Sequence, residues 1–387
     1  MCLASVAVAQ NHTPSPSANG FATLSAKADA ARDADQLDAA VPLYKRALAL
    51  RPSWAEGWWS LGTIYYDRNA YAKASFDFQK LIALQPENGT AQALFGLCEF
   101  ELGHEKSALR HIQLGEKLGL QKNSDLWHVV LYHESVLLQR QGSFQSAQDT
   151  LEELCLQTGA NDQAANVLGM AMLRLNLQNP PAADSADAPV VLRVGRAECL
   201  AGQKKYDEAK PLFEELVREY PKYPNIHYAF GLFLVQTRDV SEAVEQFKQE
   251  IQNRPDDVIS RLRIAATDYK EDSAAGIPYA EEAVQIAPQQ PFGHYLLGLL
   301  QLDVDNYGRA IPELELAQKG LPREARLYAA LASAYSRAGR KQEAAKARAI
   351  FGRLNNEQAK GSAANARSSG EAGDARNPLK DSVSLPQ

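Results

Sequence analysis

The side chains that could carry chemistry in this 387-residue sequence are 7 histidines, 4 cysteines and 47 carboxylates. Metal and catalytic sites need such residues at matched spacings on one face of an element. His128 and His133 are five residues apart, so they lie on different faces of one helix and make a poor metal pair. The carboxylates form no isolated pair, and the chain holds no HExxH, GxSxG, phosphate-loop or dinucleotide motif. The sequence predicts no catalytic residue, no metal and no cofactor, and we expect a protein that is not an enzyme.

A repeated pair of helices organises most of the chain, and its clearest copy runs from Trp58 to Pro86. Trp58, Leu61 and Tyr65 fall at i, i+3 and i+7, which predicts one face of a first helix. A second helix is predicted to include Ala74 and to end at Pro86. The pattern of Trp, Leu-Gly, Tyr, Ala, Phe and Pro in this stretch resembles the signature of the tetratricopeptide repeat (TPR) family, in its bacterial array type. The resemblance implies an all-α fold, a right-handed α-solenoid of helix-turn-helix repeats.

In this register, nine repeats and one half repeat cover the chain from 21 to 358. Four repeats form a predicted N-terminal sub-array at 21–161. A degenerate half repeat and a Pro-rich loop follow at 162–189, where consecutive prolines cannot continue a helix; we interpret this segment as the divider of the array. Five repeats form a C-terminal sub-array at 190–358. Arg348 replaces an apolar residue in the last of them, as a terminal, capping repeat requires.

The two ends of the chain lie outside the repeats. Residues 1–20 are interpreted as a signal remnant and linker, because Ala7-x-Ala9 resembles a secretory cleavage site. The charged start of a signal is missing, which leaves two interpretations open. Either the true start lies upstream of Met1 and the protein is exported to the periplasm or envelope, or the segment is a short unstructured start of a cytoplasmic protein. Residues 359–387 are rich in Gly, Ser, Asn and charge, which predicts a disordered tail.

The overall composition restricts the partners. The formal net charge of −6 gives no indication of nucleic-acid binding. No apolar run approaches the roughly 18 residues of a membrane span, so none is predicted. A hydrophobic content of 45% is enough for a packed core. The partner is therefore expected to be a protein or peptide, while its identity and the oligomeric state are not defined by the sequence.

Matched places in the repeats explain two of the cysteines and two of the histidines as packing residues. Cys98 and Cys199 both occupy the tenth place of a repeat, in the middle of a first helix, which indicates apolar packing. Without a CxxC or a Cys/His pair at metal spacing, neither a disulfide framework nor a zinc site is predicted. His227 and His294 share the fourth place with Trp58, and we interpret them as packing histidines.

The resemblance also implies a binding surface, because the second, fifth, ninth and twelfth places of a TPR face its concave wall. In this sequence those places carry seven aromatic residues, here called the first-helix aromatics: Trp59, Tyr66, Phe100, Tyr132, Tyr228, Phe292 and Tyr295. One hypothesis is an aromatic-lined groove for an extended peptide or amphipathic segment. The alternative is that these rings fill space between successive helices. The Lys, Asn and Arg pattern of TPR domains that hold a C-terminal carboxylate is absent from 21–122.

The sequence thus predicts a non-catalytic protein-protein interaction scaffold or adaptor that binds a peptide or protein segment in the concave TPR groove. The alternative is an accessory subunit that positions a catalytic partner in an envelope or secretion complex. A stable catalytic partner in pulldowns favours the accessory subunit, and many transient peptide ligands favour the adaptor.

Overall fold

The computed structural model of the chain describes residues 16–122, 124–159, 161–177, 180–182, 184–269 and 271–369. Helices make up the regular secondary structure of these residues. The helices fall into two compact units, Met1–Lys122 (unit 1) and Asn123–Gln387 (unit 2). No helix of the described ranges is long and apolar enough to cross a membrane.

Unit 1 consists of three helical hairpins. Its helices are α1 (Pro16–Asp33), α2 (Leu37–Leu50), α3 (Ala55–Asp67), α4 (Tyr71–Leu84), α5 (Gly89–Glu101) and α6 (Glu105–Lys117). Their order follows the first three predicted repeats, with a first and a second helix in each. Because α1 begins at Pro16, the last residues of the predicted linker are helical. Residues 1–15, with the predicted signal remnant, lie outside the described residues.

Unit 2 begins with a hairpin. A single helix, α9, follows it, and regular helix pairs resume from α10 onward. Its helices are α7 (Asp125–Arg140), α8 (Phe144–Thr158), α9 (Asp162–Met172), α10 (Asp187–Gly202), α11 (Tyr206–Glu219), α12 (Ile226–Gln236), α13 (Val240–Asn253), α14 (Val258–Asp268), α15 (Ser273–Ile286), α16 (Pro291–Asp303), α17 (Tyr307–Gly320), α18 (Ala325–Arg337) and α19 (Lys341–Ser369). The last helix extends to Ser369, eleven residues beyond the predicted end of the array at residue 358. The Ala-rich sequence there suits a helix, and residues 370–387 are not described.

The boundary between the two units falls at residues 122 and 123. The helices on either side of the predicted divider, α9 and α10, pack closely on each other. A Cβ atom added at Gly169 would collide with the carbonyl of Val191, and one added at Gly195 would collide with the carbonyl of Ala165. Two glycines therefore let the backbones touch, and the odd helix α9 belongs to unit 2.

The turns of the hairpins share a left-handed residue. Such a residue follows the first helix in most pairs, with positive φ at Asp35, Asn69, Gly103, Gly142, Arg174, Lys204, Arg238, Asp305 and Gly339. In unit 1 these residues recur at the repeat spacing of 34 residues. Arg174 shows that α9 ends like the first helix of a hairpin, although the described residues 175–177, 180–182 and 184–186 form no second helix.

Inside a hairpin, a ring of the second helix packs on a small residue of the first helix. An added Cβ at Gly62 would lie 2.7 Å from Cε1 of Phe78, and one at Gly231 would lie 2.5 Å from Cε1 of Phe247. Both phenylalanines are fully buried. The small residue of the TPR signature is thus required by the ring that faces it.

A disulfide joins Cys155 of α8 to Cys199 of α10, with Cα atoms 5.3 Å apart. The sequence predicts no disulfide, and this prediction is wrong. The two cysteines are 44 residues apart and become neighbours only through the packing of α10 on α8. Cys98 is a buried thiol, as its place in the repeat predicts, and burial raises its pKa to about 12.

Candidate partner-binding surfaces

Three first-helix aromatics lie in unit 1, and all three are half-buried. Trp59 packs edge-on against Phe78, with ring centroids 6.2 Å apart. Tyr66 packs edge-on against Tyr71 at 5.8 Å, and burial raises the pKa of Tyr66 to about 12. Phe100 lies near the end of α5. Trp59 and Tyr66 are two helical turns apart on α3 and face the same side of it.

The other four first-helix aromatics lie in unit 2. Tyr132 is half-buried beside His133. Tyr228, Phe292 and Tyr295 are buried, with at most 6% of their surface exposed. Phe292 and Tyr295 contact each other along α16, with centroids 6.3 Å apart. These three rings fill space between helices, which is the alternative given above, and they present almost no surface to a partner.

A second surface in unit 1 is an open groove between α2 and α4 with α3 as its floor; we call it the Phe76 groove. It encloses about 550 Å³, within the roughly 300–1,000 Å³ of ligand sites in proteins. Its lining residues are Lys45, Leu48, Ala49, Pro52, Trp58, Leu61, Tyr65, Ala72, Lys73, Phe76 and Asp77. The lining is mainly apolar and aromatic, which is the composition that binds side chains of a partner.

The aromatic wall of the groove is held by specific contacts. Nε1 of Trp58 donates a hydrogen bond to the carbonyl of Pro52 at 2.8 Å. The ring of Phe76 stands edge-on to Trp58, with centroids 6.2 Å apart, and 53% of Phe76 is exposed. Since successive residues of a helix are rotated by roughly 100°, Trp58 and Tyr65 lie on a different face of α3 from Trp59. The Phe76 groove is therefore distinct from the predicted aromatic surface.

The polar end of the groove contains one carboxyl and two ammonium groups. Asp77 is only 4% exposed, and its Oδ2 has no hydrogen-bond partner among the described residues. Burial raises the pKa of Asp77 to about 7, and Lys45 acts weakly in the opposite direction. Nζ of Lys45 and Nζ of Lys73 lie 5.6 and 5.3 Å from the centroid of the Tyr65 ring. Both lysines are exposed.

The sequence predicts Trp58 and Tyr65 as packing residues and does not single out Phe76 or Asp77. The sequence feature that could have indicated this groove is Phe76, a large aromatic residue two places after the buried Ala74 of its helix. A residue at i+2 points away from the buried face of a helix. A phenylalanine there is consistent with an exposed binding surface, although the repeat pattern alone does not indicate which neighbour it meets.

A small polar cavity lies in unit 2 and encloses about 20 Å³, room for about one water molecule. Nη2 of Arg263 donates to Oε1 of Gln145 at 2.9 Å. The guanidinium of Arg174 lies 5.0 Å from the Phe144 ring and 6.0 Å from the Tyr228 ring. These contacts hold the Arg263 and Arg174 guanidinium groups against neighbouring side chains of unit 2, and we assign the cavity to the packing of that unit.

The histidines at the fourth place are part of the core. His227 and His294 are each 7% exposed. Nε2 of His227 lies 3.0 Å from the carbonyl of Pro221, and Nε2 of His294 lies 2.9 Å from that of Pro288. Within the described ranges, no group of three or more His, Cys, Asp or Glu is placed to hold a metal ion.

Both units consist of stacked helical hairpins, most of which have a residue with positive φ in the turn. This arrangement defines a helical repeat protein of the α-solenoid class. Sequence profiles described as tetratricopeptide repeat match residues 25–88 of unit 1 and 200–263 of unit 2. The two matched segments are tetratricopeptide repeats, and the predicted all-α solenoid is confirmed. Proteins of this type are interaction scaffolds that bind protein partners and are generally non-catalytic.

Solved structures with a similar helical arrangement include MamA (residues 41 to the end) from Desulfovibrio magneticus RS-1, which is 22% identical with a TM-score of 0.41. That match covers 44% of this chain and 96% of the MamA chain. The APC/C hetero-tetramer Cut9-Hcn1 contains a chain that is 13% identical with a TM-score of 0.35, and the match covers 90% of both chains. No curated protein matches the sequence.

Proposed function

We propose that this protein is a non-catalytic interaction scaffold and that the Phe76 groove of unit 1 is a main contact for a protein or peptide partner. The observation that carries the proposal is an open groove of about 550 Å³ with a mostly apolar lining. Its outer wall, Phe76, leaves half of a phenylalanine in water. Exposed aromatic residues beside a pocket are typical anchors of protein interfaces.

The half-buried first-helix aromatics remain a second proposed contact. Trp59, Tyr66 and Phe100 in unit 1 keep part of their rings accessible, and so does Tyr132 in unit 2. An extended segment that lies along the first helices of unit 1 would use the first three rings, as the TPR resemblance implies. The Phe76 groove and these rings lie on different faces, so single variants separate their contributions.

The test is affinity capture from the native extract with the full chain as bait, in parallel with three variants. Phe76→Ser removes the groove wall, and Trp59→Ala with Tyr66→Ala removes the first-helix rings. Leu84→Ser is the matched control, because Leu84 is 42% exposed on the same helix as Phe76 and does not line the groove. We expect partners to be lost with Phe76→Ser and retained with Leu84→Ser. Retention of every partner by Phe76→Ser contradicts the groove as the contact.

We also propose that the protein is exported to an oxidising compartment. The Ala7-x-Ala9 pattern and the disulfide between Cys155 and Cys199 support this, because structural disulfides persist mainly outside the reducing cytosol. Alkylation of the two cysteines in intact cells, followed by mass spectrometry, tests the proposal. Protection of both sulfurs supports export, and full alkylation of both without reductant contradicts it.

A further inference from the structure

The Phe76 groove contains one polar group that the folded chain leaves unsatisfied. Asp77 lines the groove, and its Oδ2 is buried without a hydrogen-bond partner among the described residues. Buried polar groups in native proteins are almost always hydrogen-bonded. The neighbouring Ser75 already donates to Glu99 at 2.9 Å and so does not face Asp77. A group that enters the groove is therefore in a position to supply the missing donor.

The charges around the groove restrict what kind of donor it is. Lys45 on α2 and Lys73 on α4 lie at the polar end, against the Tyr65 ring. Lys80 of α4 lies 5.2 Å from the centroid of the Phe76 ring, at the apolar wall. Three ammonium groups repel a cationic ligand, so a lysine or arginine side chain is disfavoured as the donor. The same groups attract acidic residues that flank the inserted side chain.

The shape and lining of the groove restrict the rest of the ligand. Trp58 and Phe76 present ring surfaces, whereas Tyr65 is only 7% exposed. The two accessible rings favour an inserted aromatic ring in edge or offset contact. Two side chains combine an aromatic ring with a neutral donor at its edge: the indole of tryptophan and the phenol of tyrosine. Both are enriched among the residues that dominate protein interfaces.

We propose, on the basis of the scaffold function above, that the Phe76 groove binds an aromatic side chain with one neutral N–H or O–H donor from an acidic segment of a protein partner. The donor hydrogen bonds to the carboxyl of Asp77. The ring packs against Trp58 and Phe76. The acidic residues on either side contact Lys45, Lys73 and Lys80.

The test uses four fluorescein-labelled peptides with the same acidic flanks and one central residue that varies. The first pair has tryptophan or benzothienylalanine, in which sulfur replaces the indole N–H and the ring shape is kept. The second pair has tyrosine or phenylalanine. Fluorescence anisotropy with the full chain at pH 8 gives the four dissociation constants. We expect the donor-bearing member of at least one pair to bind about tenfold more tightly, the value of one buried hydrogen bond to a charged acceptor. The pair with the larger ratio identifies the side chain.

Variants of Asp77 show whether the ratio of dissociation constants within each peptide pair depends on the Asp77 carboxyl group. Asp77→Leu has a similar shape without an acceptor, and we expect the ratio within each pair to fall to about one. Asp77→Asn keeps one acceptor oxygen without the charge and is expected to keep part of the ratio. Circular dichroism confirms that each variant is folded, and if Asp77→Leu does not fold, Asp77→Asn serves in its place. A wild-type ratio of one in both pairs, or an equal ratio in wild type and the folded variant, overturns the proposal.

Two further measurements separate this proposal from the scaffold function. Phe76→Ser is expected to weaken all four peptides, while Leu84→Ser leaves them unchanged. If Phe76→Ser weakens all four and the donor makes no difference, the groove binds a partner but the role of Asp77 is refuted. If no peptide binds and capture still depends on Phe76, the acidic aromatic ligand is refuted and the scaffold function stands. A peptide with lysine flanks is expected to bind at least tenfold more weakly, and equal binding contradicts the role of the three lysines.

Discussion

The residue at the fourth place of a repeat makes the same bond in five hairpins: its side chain donates a hydrogen bond to the carbonyl of the proline six residues earlier. These residues are Trp58, Gln92, His227, His294 and Tyr328. These side chains differ in shape, but each has an N–H or O–H group that can donate a hydrogen bond. The packing role of the two histidines could be predicted from their place in the repeat. The bond could not, because the proline carbonyl comes from the preceding loop.

Removal of this donor should destabilise the hairpin. His227 is nearly buried, and His227→Leu leaves the Pro221 carbonyl with fewer donors, so we expect the free energy of unfolding to fall by about 1–3 kcal/mol. His227→Gln is the matched control, because Gln92 makes the same bond in its own hairpin. Urea denaturation followed by circular dichroism measures both. Equal losses in the two variants contradict a role for the hydrogen bond.

Asp77 should make the stability of unit 1 depend on pH. Its folded pKa of about 7 lies above the ordinary 3.8, so the folded state binds the proton more tightly than the unfolded chain does. Stability from this group is therefore present at low pH and is lost as the pH rises from about 4 to about 7. Asp77→Asn removes this loss, and we expect the variant to gain about 1–3 kcal/mol relative to wild type between pH 5 and pH 8.

Tryptophan fluorescence during urea denaturation is a suitable probe of Asp77, because Trp54, Trp58 and Trp59 lie in unit 1 and only Trp127 lies in unit 2. Lys45→Met is a useful companion, since Lys45 is the group that lowers the pKa of Asp77. We expect it to strengthen the pH dependence. The same difference between Asp77→Asn and wild type at both pH values would show that Asp77 is not titrating in this range.

At the scale of the helix and its turn, the sequence predicts the hairpins well because the apolar period of each helix is independent of its neighbours. It predicts the left-handed turn residue only in part. Gly103 and Asn69 are residue types that favour this conformation, whereas Lys204 and Arg238 are not. At the latter positions the packing of the two helices imposes the backbone conformation on an unfavourable residue.

Relief of that conformation should stabilise the protein. Arg238 has φ of 65°, is exposed, and connects α12 to α13. Arg238→Gly removes the steric cost of the Cβ atom, and we expect a gain of about 0.5–1 kcal/mol in the free energy of unfolding. Arg238→Ala removes the same long side chain but keeps Cβ, so it should give no gain. Thermal unfolding of the three proteins measures this, and an equal gain in both variants attributes the effect to the arginine side chain instead.

At the scale of the whole molecule, the repeat family and the all-α fold could be predicted from the sequence, and the division into units could not. The signature residues repeat locally, while the unit boundary and the disulfide depend on which helices meet in space. Gly169 and Gly195 allow α9 to pack on α10, so the helix at which the repeat pattern is interrupted is closely packed. The Phe76 groove is missed for a similar reason, because three helices of two hairpins form it.

The disulfide should stabilise unit 2 without affecting unit 1. It closes a segment of 44 residues between α8 and α10. Replacement of Cys155 and Cys199 by alanine is expected to lower the free energy of unfolding of unit 2 by about 2–4 kcal/mol. Native-state hydrogen exchange reports each unit separately. Reduction of the wild-type protein should reproduce the change, and faster exchange in unit 1 alone would contradict it.

Site-specific photo-crosslinking shows whether a partner contacts the Phe76 groove. Benzoylphenylalanine is placed at Phe76, at Trp59 or at the control position Leu84, and each full-length protein is irradiated in the native extract. We expect a discrete protein adduct at Phe76 that is competed by the acidic tryptophan or tyrosine peptide, with none at Leu84. Adducts at Trp59 and none at Phe76 would move the contact to the first-helix aromatics and contradict the groove as the binding surface.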